Sequence, residues 1–133
     1  MQSNPPKAPK VPCGTCPYRQ DVPSGIWAAN EYEKLPSYDG EIFDQLVKGG
    51  TPLFMCHQND GCLCGGWLQT HGTDNLLALR LQPVDPSVYG YTSKVPCFAS
   101  GTEAMVHGMA EIENPSPKAE KKIAGLVKKR ALT

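Results

Sequence analysis

Two clusters of cysteines constrain this chain more than any other feature of its sequence. The first is the pair Cys13 and Cys16, which enclose Gly14-Thr15, and the second, further along the chain, contains Cys56 and Cys64. Two thiolates three residues apart on a tight turn can bind one metal ion from the same side, and a second pair can complete a tetrahedron of soft ligands. The spacing therefore predicts a four-cysteine metal site that joins two distant parts of the chain.

The composition predicts a fold with a small core. The chain has 133 residues, of which 13 are glycine and 13 are proline, so its regular elements should be short. Metal binding would supply folding free energy that such a core lacks. We therefore expect a small, irregular, loop-rich α+β domain, with short helices and a few short strands organised around the four-cysteine site.

The remaining cysteines and histidines are weaker ligand candidates. Cys62 and Cys64 alternate along an extended segment and would point to opposite faces of a strand, which disfavours Cys62. Cys97 lies among apolar residues and is interpreted as a small buried side chain, although a part in the site stays open for both. His71 is the best substitute ligand if the site consists of three cysteines and one histidine. His57 is expected beside the ligands, hydrogen-bonded to a cysteine sulfur or a carboxylate.

Zinc is the metal that the pattern favours. Pro17 directly follows Cys16, and a Cys-Pro step is common in iron–sulfur ligation. The chain lacks a third closely spaced cysteine of the Cys-x2-Cys-x2-Cys type. Structural zinc is therefore the first prediction, and a [4Fe–4S] cluster with a redox or regulatory role is the alternative.

Two enzyme classes with similar motifs do not fit. A thioredoxin-like dithiol needs a strand leading into the motif and a helix starting within it, but Pro12 and Pro17 flank this one. A zinc deaminase needs a His-x-Glu motif upstream of its cysteines, and no histidine precedes Cys13. A thiol-based or zinc-dependent enzyme remains a second alternative, with only Asp60 and His57 as nearby bases. We expect a protein that is not an enzyme.

Charge is unevenly distributed along a chain whose formal net charge is zero. Of the 13 basic residues six follow Ser116, whereas only one of the 13 acidic residues, Glu120, does so. We therefore divide the chain into a disordered arm (1–11), a metal-binding domain (12–112) and a basic amphipathic helix (113–133). A protein is the expected partner, and weak nucleic-acid contact is the alternative. The basic residues available for it are Lys118, Lys121, Lys122, Lys128, Lys129 and Arg130.

Local patterns predict the secondary structure of the domain. Helices are expected at 28–35, 41–48 and 100–107, and a helix rather than the alternative strand at 75–81. A strand is expected at 51–56, a strand or helix start at 67–70, and a loop at 83–96. Ser100 and Glu103 form a capping-box pattern. The last helix should begin after Ser116 and carry an apolar stripe of Ala119, Ile123 and Val127.

Targeting signals are not evident in the sequence. The first residues contain no apolar h-region, and no apolar run approaches the length of a membrane span. The expected location is the cytoplasm, or the host cytoplasm if the protein is phage-encoded, with no membrane association.

Further residues surround the cysteines in a distinctive order. They are Cys13-x-x-Cys16-Pro17-Tyr18-Arg19, Pro23-Ser24-Gly25-Ile26-Trp27, Glu31-Tyr32, Leu35, Tyr38-Asp39, Phe54-x-Cys56-His57-Gln58, Cys64-x-Gly66-Trp67 and His71. In this order the chain resembles a family of small cysteine-containing proteins of actinobacteria and their phages that has no assigned function. The resemblance covers roughly residues 12 to 108. It implies that the four cysteines named first form the family's site, with Cys62 a local departure, and it implies no activity.

Overall fold

The computed structural model describes residues 4–131, with no account of the side chains of residues 129–131. Helices make up 44% of the chain and strand or bridge residues only 5%. The α+β prediction is therefore wrong. Within the described range the extended pairs are isolated bridges rather than a sheet: Lys7 with Cys62, Arg19 with Cys97, and Met55 with Leu63.

The extended segments are too short to form a ladder. Around the Met55–Leu63 bridge, Cys56 donates its N–H to the Cys62 carbonyl at 2.9 Å, and Cys64 donates to Phe54 at 2.8 Å. A turn on one side and a helix that begins at Gly65 on the other then take the chain away. The expected strand at 51–56 is thus reduced to a single bridged residue, because nothing continues its pairing.

Six α-helices and three 3-10 turns lie within the described residues. The helices are α1 (Ala29–Glu33), α2 (Ile42–Lys48), α3 (Gly65–His71), α4 (Leu77–Leu81), α5 (Gly101–Met109) and α6 (Pro117–Ala131), and the 3-10 turns are Leu35–Tyr38, Thr73–Asn75 and Pro86–Val88. The helix expected at 28–35 is shorter, because Pro36 falls at the start of a 3-10 turn. Residues 67–70 belong to a helix, not to a return strand.

Side-chain caps set the starts of the two longest helices. The Ser100 hydroxyl accepts the N–H of Glu103 at 3.1 Å, as the capping pattern predicts. The Glu103 carboxylate reaches Ala99 rather than Ser100, at 3.1 Å. The Ser116 hydroxyl accepts the N–H of Ala119 at 3.2 Å at the start of α6.

The core lies between α3, α1, α5 and the segment around Tyr18. Its largest fully buried side chains include Trp67, Tyr18, Tyr32 and Leu35. Asp39 fixes the start of α5 against this core, since its carboxylate accepts the backbone N–H groups of Gly101 at 2.6 Å and of Thr102 at 2.8 Å.

Helix α2 has the reverse of the usual amphipathic arrangement. Ile42, Phe43, Leu46 and Val47 have the spacing of a buried apolar face, yet three of them are largely exposed: Phe43 by 72%, Leu46 by 57% and Val47 by 71%. The buried residue is Gln45, at 0% exposure. Its side chain donates to the Gly40 and Asn75 carbonyls at 3.1 and 2.6 Å and accepts the Leu77 N–H at 2.9 Å. Hydrogen bonds, rather than apolar packing, therefore hold α2.

Both terminal segments contact the body. In the segment expected to be an arm, Lys7 donates to the Gly61 carbonyl at 3.0 Å and accepts the Leu63 N–H at 2.8 Å. Helix α6 buries Ala119 completely and packs Ile123 and Leu126 against the core, whereas Val127 is 63% exposed. The packed stripe of α6 thus includes Leu126 in place of Val127. No helix within residues 4–131 combines the length and hydropathy needed to cross a bilayer.

Candidate metal centre

The first pair of cysteines lies on a tight turn that is held from two sides. Cys16 donates its N–H to the Cys13 carbonyl at 3.0 Å, which closes the turn. The Trp27 indole N–H donates to the Thr15 carbonyl at 2.8 Å. On the other side, the Arg19 guanidinium donates to the Pro12 carbonyl at 2.9 Å and pairs with Asp21 at 2.7 Å. These contacts within the protein fix the orientation of the turn that carries the two thiols.

The second pair lies at the two ends of the short hairpin around the Met55–Leu63 bridge. Cys56 precedes its turn, and Cys64 is the residue before the first turn of α3. The Gln58 side chain donates to the Thr15 hydroxyl and so joins the two cysteine-bearing segments directly. The fold therefore brings together residues that are far apart in sequence.

Across these segments the thiols meet as two pairs. The Sγ atoms of Cys16 and Cys64 lie 3.6 Å apart, and the Cys13 thiol is hydrogen-bonded to Cys56. All six cysteines are free thiols, and 3.6 Å is far beyond the roughly 2.05 Å of a disulfide bond. The four cysteines chosen from the sequence are thus the ones that the fold pairs.

Backbone amides point at all four sulfurs. Thr15 donates to Cys13, Tyr18 and Gly66 donate to Cys16, Gln58 and Asn59 donate to Cys56, and Trp67 donates to Cys64. The Asn59 N–H lies 3.4 Å from the Cys56 sulfur. Hydrogen bonds of this kind stabilise thiolates and tune thiolate-bound metals. Each of the four sulfurs thus accepts at least one hydrogen bond from the backbone.

Each pair contains one thiol that ionises easily and one that does not. A hydrogen bond from Cys13 lowers the pKa of Cys56 to about 5, against an opposing effect of burial and with help from the Gln58 and Asn59 amides. In the same way a hydrogen bond from Cys64 lowers the pKa of Cys16. The partners Cys13 and Cys64 have raised pKa values, because each donates its proton and is buried.

Gly66 allows α3 to approach the first turn. A Cβ atom at this position would collide with the Cys16 sulfur and would lie 2.6 Å from the Cβ of Tyr18. Only glycine fits at such a distance, and it also lets the Gly66 N–H reach the Cys16 sulfur.

His57 and His71, the two histidines considered as neighbours of the metal site, contact groups other than the cysteine sulfurs. The His71 ring is buried, with Nε2 3.3 Å from the Tyr18 hydroxyl and Nδ1 3.7 Å from Asp39. His57 pairs with the Glu31 carboxylate at 2.7 Å and packs on the Trp27 ring, with 4.8 Å between centroids. The sequence predicts either a cysteine sulfur or a carboxylate as the partner of His57, and the structure has a carboxylate. The role of His71 as a substitute ligand stays a prediction, and both of its nitrogens face other groups here.

The other two cysteines, Cys62 and Cys97, are not members of these pairs. Cys62 lines an open surface cavity with Lys7, Lys10 and Asp85. Cys97 is half-buried, and burial raises its pKa to about 12, as does the nearby Cys16. The neutral thiol is thus the stable form of Cys97, which agrees with a packing role.

Helix α6 lies over the first turn. The Lys122 ammonium donates to the Gly14 carbonyl at 3.3 Å, and the two residues line a cavity of about 280 Å³ together with Thr15, Gln58 and Leu126. Sequence reasoning missed this contact and did not identify Glu31 as the carboxylate beside His57, because no local pattern pairs these residues.

The family relationship of the chain rests on the same segment that carries these features. Residues 8–130, which include all four paired cysteines and most of α6, match one protein family. The chain belongs to DUF6283, a family of unknown function. No curated protein and no solved structure matches this DUF6283 chain. The family match extends beyond the region of the sequence resemblance at both ends.

The arrangement in this DUF6283 protein provides four soft donors in two contacting pairs. Within residues 4–131, no group of three or more His, Cys, Asp or Glu side chains has the arrangement of a metal site. The sulfurs are paired rather than gathered around one centre. Binding one ion would require the thiol–thiol hydrogen bonds to be replaced by metal–sulfur bonds, with release of the thiol protons.

Proposed function

We propose that Cys13, Cys16, Cys56 and Cys64 bind one structural zinc ion and that the protein acts through surface contacts, not as an enzyme. The observation that supports this best is the 3.6 Å between the Cys16 and Cys64 sulfurs. Two sulfurs bound to one tetrahedral zinc at about 2.3 Å lie about 3.8 Å apart. Little movement of this pair is therefore needed to bind the ion.

The same distance favours a mononuclear site over a cluster. In a [4Fe–4S] cluster each cysteine binds a different iron atom, so the sulfurs are spread around a larger unit. One zinc ion bound by four thiolates has no open position for a substrate or a catalytic water. A structural role follows, in which zinc ties the turn at 13–16 to the hairpin and α3.

The zinc proposal is tested by metal analysis of four proteins purified without oxygen. We expect about one zinc per chain and no visible colour in the wild type, and loss of the zinc in Cys56→Ser. We expect Cys62→Ser and Cys97→Ser, the matched controls, to keep it. The melting temperature of Cys56→Ser should fall by about 10 °C or more, because the ion no longer stabilises the fold.

Three outcomes would contradict this proposal. Protein without stoichiometric metal would remove its basis, and iron with sulfide would establish the cluster alternative. Equal loss of zinc in Cys62→Ser and Cys56→Ser would show that the paired cysteines are not the ligand set.

For the surface contacts, we propose the exposed basic side of α6. Lys118, Lys121 and Lys128 are exposed on this helix, while Ala119 and Ile123 face the core. The side chains of Lys129 and Arg130 lie outside the described residues. An acidic protein surface is the proposed partner, and weak, salt-dependent binding to nucleic acid is the alternative. We also propose that the protein comes from actinobacteria or their phages and is located in the cytoplasm.

A further inference from the structure

The two thiol pairs differ in how accessible they are to solvent. Cys16 and Cys64, here called the buried pair, are 1% and 4% exposed, and their sulfurs meet inside the core. Cys13 and Cys56, here called the surface pair, are hydrogen-bonded to each other and are both only partly buried. A small dissolved reagent can therefore reach the surface pair while the core stays closed over the buried pair.

Cys56 is the member of the surface pair that a reagent meets in a cavity. It lines a cavity of about 320 Å³ together with Phe54 and Met55. The hydrogen bond that its sulfur accepts from the Asn59 N–H also lies at an exposed position. A cysteine that senses oxidants is accessible to solvent and often lies beside a second cysteine that captures its oxidised sulfur. Cys56 has both properties, with Cys13 as the second cysteine.

We propose that the surface pair is a redox modification site, at which a hydroperoxide forms a disulfide bond between Cys13 and Cys56 and thereby releases zinc. The release of zinc rests on the function proposed above, whereas the formation of the disulfide does not. After oxidation only the buried pair remains as zinc ligands, and two thiolates are too few for a closed structural site. The disulfide joins the turn at 13–16 to the hairpin, so the contact between these two segments is kept.

The oxidation proceeds in two steps. The Cys56 sulfur attacks the terminal oxygen of the hydroperoxide, the O–O bond breaks, and the departing oxygen takes up a proton as water or an alcohol, which leaves Cys56 as a sulfenic acid. The Cys13 sulfur then attacks the Cys56 sulfur, the S–S bond forms, the S–O bond breaks, and hydroxide leaves with a proton as water. Two electrons pass from the sulfurs to the peroxide. When the sulfurs start as zinc-bound thiolates, both protons come from solvent.

The test treats the full chain, as purified without oxygen, with hydrogen peroxide. Zinc is measured before the reaction, and zinc released during it is followed with a coloured indicator. Cysteines that remain reduced are then alkylated with a light reagent, and cysteines freed by reduction of the disulfide are alkylated with a heavy one. Tandem mass spectrometry assigns each label to a residue, which is necessary because Cys13 and Cys16 lie in one tryptic peptide.

We expect the heavy label on Cys13 and Cys56 at the point where two thiols per chain have reacted. The other four of the six cysteines should carry the light label, and about one zinc per chain should be released in parallel. The double variant Cys62→Ser/Cys97→Ser, which keeps both pairs, is the matched control and should react at the rate of the wild type. The labelling alters neither pair, so its result does not depend on whether a variant of a paired cysteine folds.

The outcomes separate this proposal from the zinc proposal. Heavy label first on the buried pair, or on Cys62 or Cys97, would overturn the modification site. Oxidation of Met55 to its sulfoxide with all six thiols left reduced would also overturn it. Zinc that stays bound after the Cys13–Cys56 disulfide has formed would overturn its release. A chain purified without zinc that still forms this disulfide would support the modification site and contradict only the zinc proposal.

Discussion

At the scale of single residues, Gly66 determines how closely the two cysteine-bearing segments can approach. It stands in the first turn of α3, and its missing side chain leaves the space that the Cys16 sulfur and the Tyr18 Cβ occupy. Both neighbours are fixed, since Tyr18 is fully buried and Cys16 is 1% exposed. The position therefore has no room to adapt to a larger side chain.

Gly66→Ala should consequently destabilise the protein, by about 2 kcal/mol or more in urea unfolding, because the added methyl group pushes α3 away from the first turn. If the proposed zinc ion is bound, the zinc content should fall with it. Gly125→Ala is the control, because nothing lies within 4 Å of a Cβ at that position of α6. This change should stabilise the protein by about 0.5–1 kcal/mol through helix propensity. Wild-type stability in Gly66→Ala would show that α3 does not pack so closely against the Cys16 sulfur and Tyr18.

The sequence reveals the four cysteines but not their surroundings. Their selection follows from spacing and from the disfavoured position of Cys62, both of which are local properties. The Gln58–Thr15 hydrogen bond, the Glu31–His57 pair and the Lys122 contact join residues far apart in sequence. Such contacts depend on how the elements pack, so no local pattern announces them.

At the scale of elements, the helices were predictable where caps and breakers mark their ends. Ser100, Ser116 and Gly49 stand at helix ends in the structure, as their residue types predict. Burial was less predictable. The spacing of Phe43, Leu46 and Val47 indicates a helix, yet only the hydrogen bonds of Gln45 determine which side of it faces inward.

Helix α6 provides a test of its packed stripe. Ile123 is partly buried against the core, whereas Val127 is 63% exposed. We expect Ile123→Ala to lower the free energy of unfolding by about 1–2 kcal/mol, and Val127→Ala to change it by less than about 0.5 kcal/mol. Both changes place alanine in the same helix, so a difference in urea unfolding reports packing rather than propensity. Equal effects would contradict the observed orientation of α6.

At the scale of the whole molecule, the α+β expectation failed because pairing partners are not encoded locally. Residues 51–56 and 62–64 have extended character, but a sheet also requires neighbours that continue the ladder. Helix α3 begins directly after Cys64 and ends the pairing. The apolar residues that could have formed strands pack instead around Trp67 in a helix-rich core.

The stability of the whole molecule should also depend on pH, because His71 is buried. Its side chain is 4% exposed. Burial lowers its pKa to about 4, although the nearby Asp39 opposes the shift. In the unfolded chain the pKa is near 6.5, so between these values the unfolded state binds the additional proton. Stability contributed by neutral His71 is therefore present above about pH 6.5 and is lost as the pH falls towards 4.

The expected loss is about 3 kcal/mol over this range. It is measured by urea unfolding of the wild type and His71→Gln at several pH values, since acid release of a metal affects both proteins alike. The wild type should lose about 3 kcal/mol more than the variant. Parallel curves for the two proteins would refute the prediction for His71.

The contact of Lys122 with Gly14 has a consequence for the order in which the molecule is assembled. On the ribosome, both cysteine-bearing segments emerge well before α6, and the earlier parts of a chain generally fold first. The turn at 13–16 can therefore meet Cys56 and Cys64 while the side on which α6 later packs is still open. Synthesis itself thus provides an interval in which the proposed zinc ion can enter, and the docking of α6 brings that interval to an end.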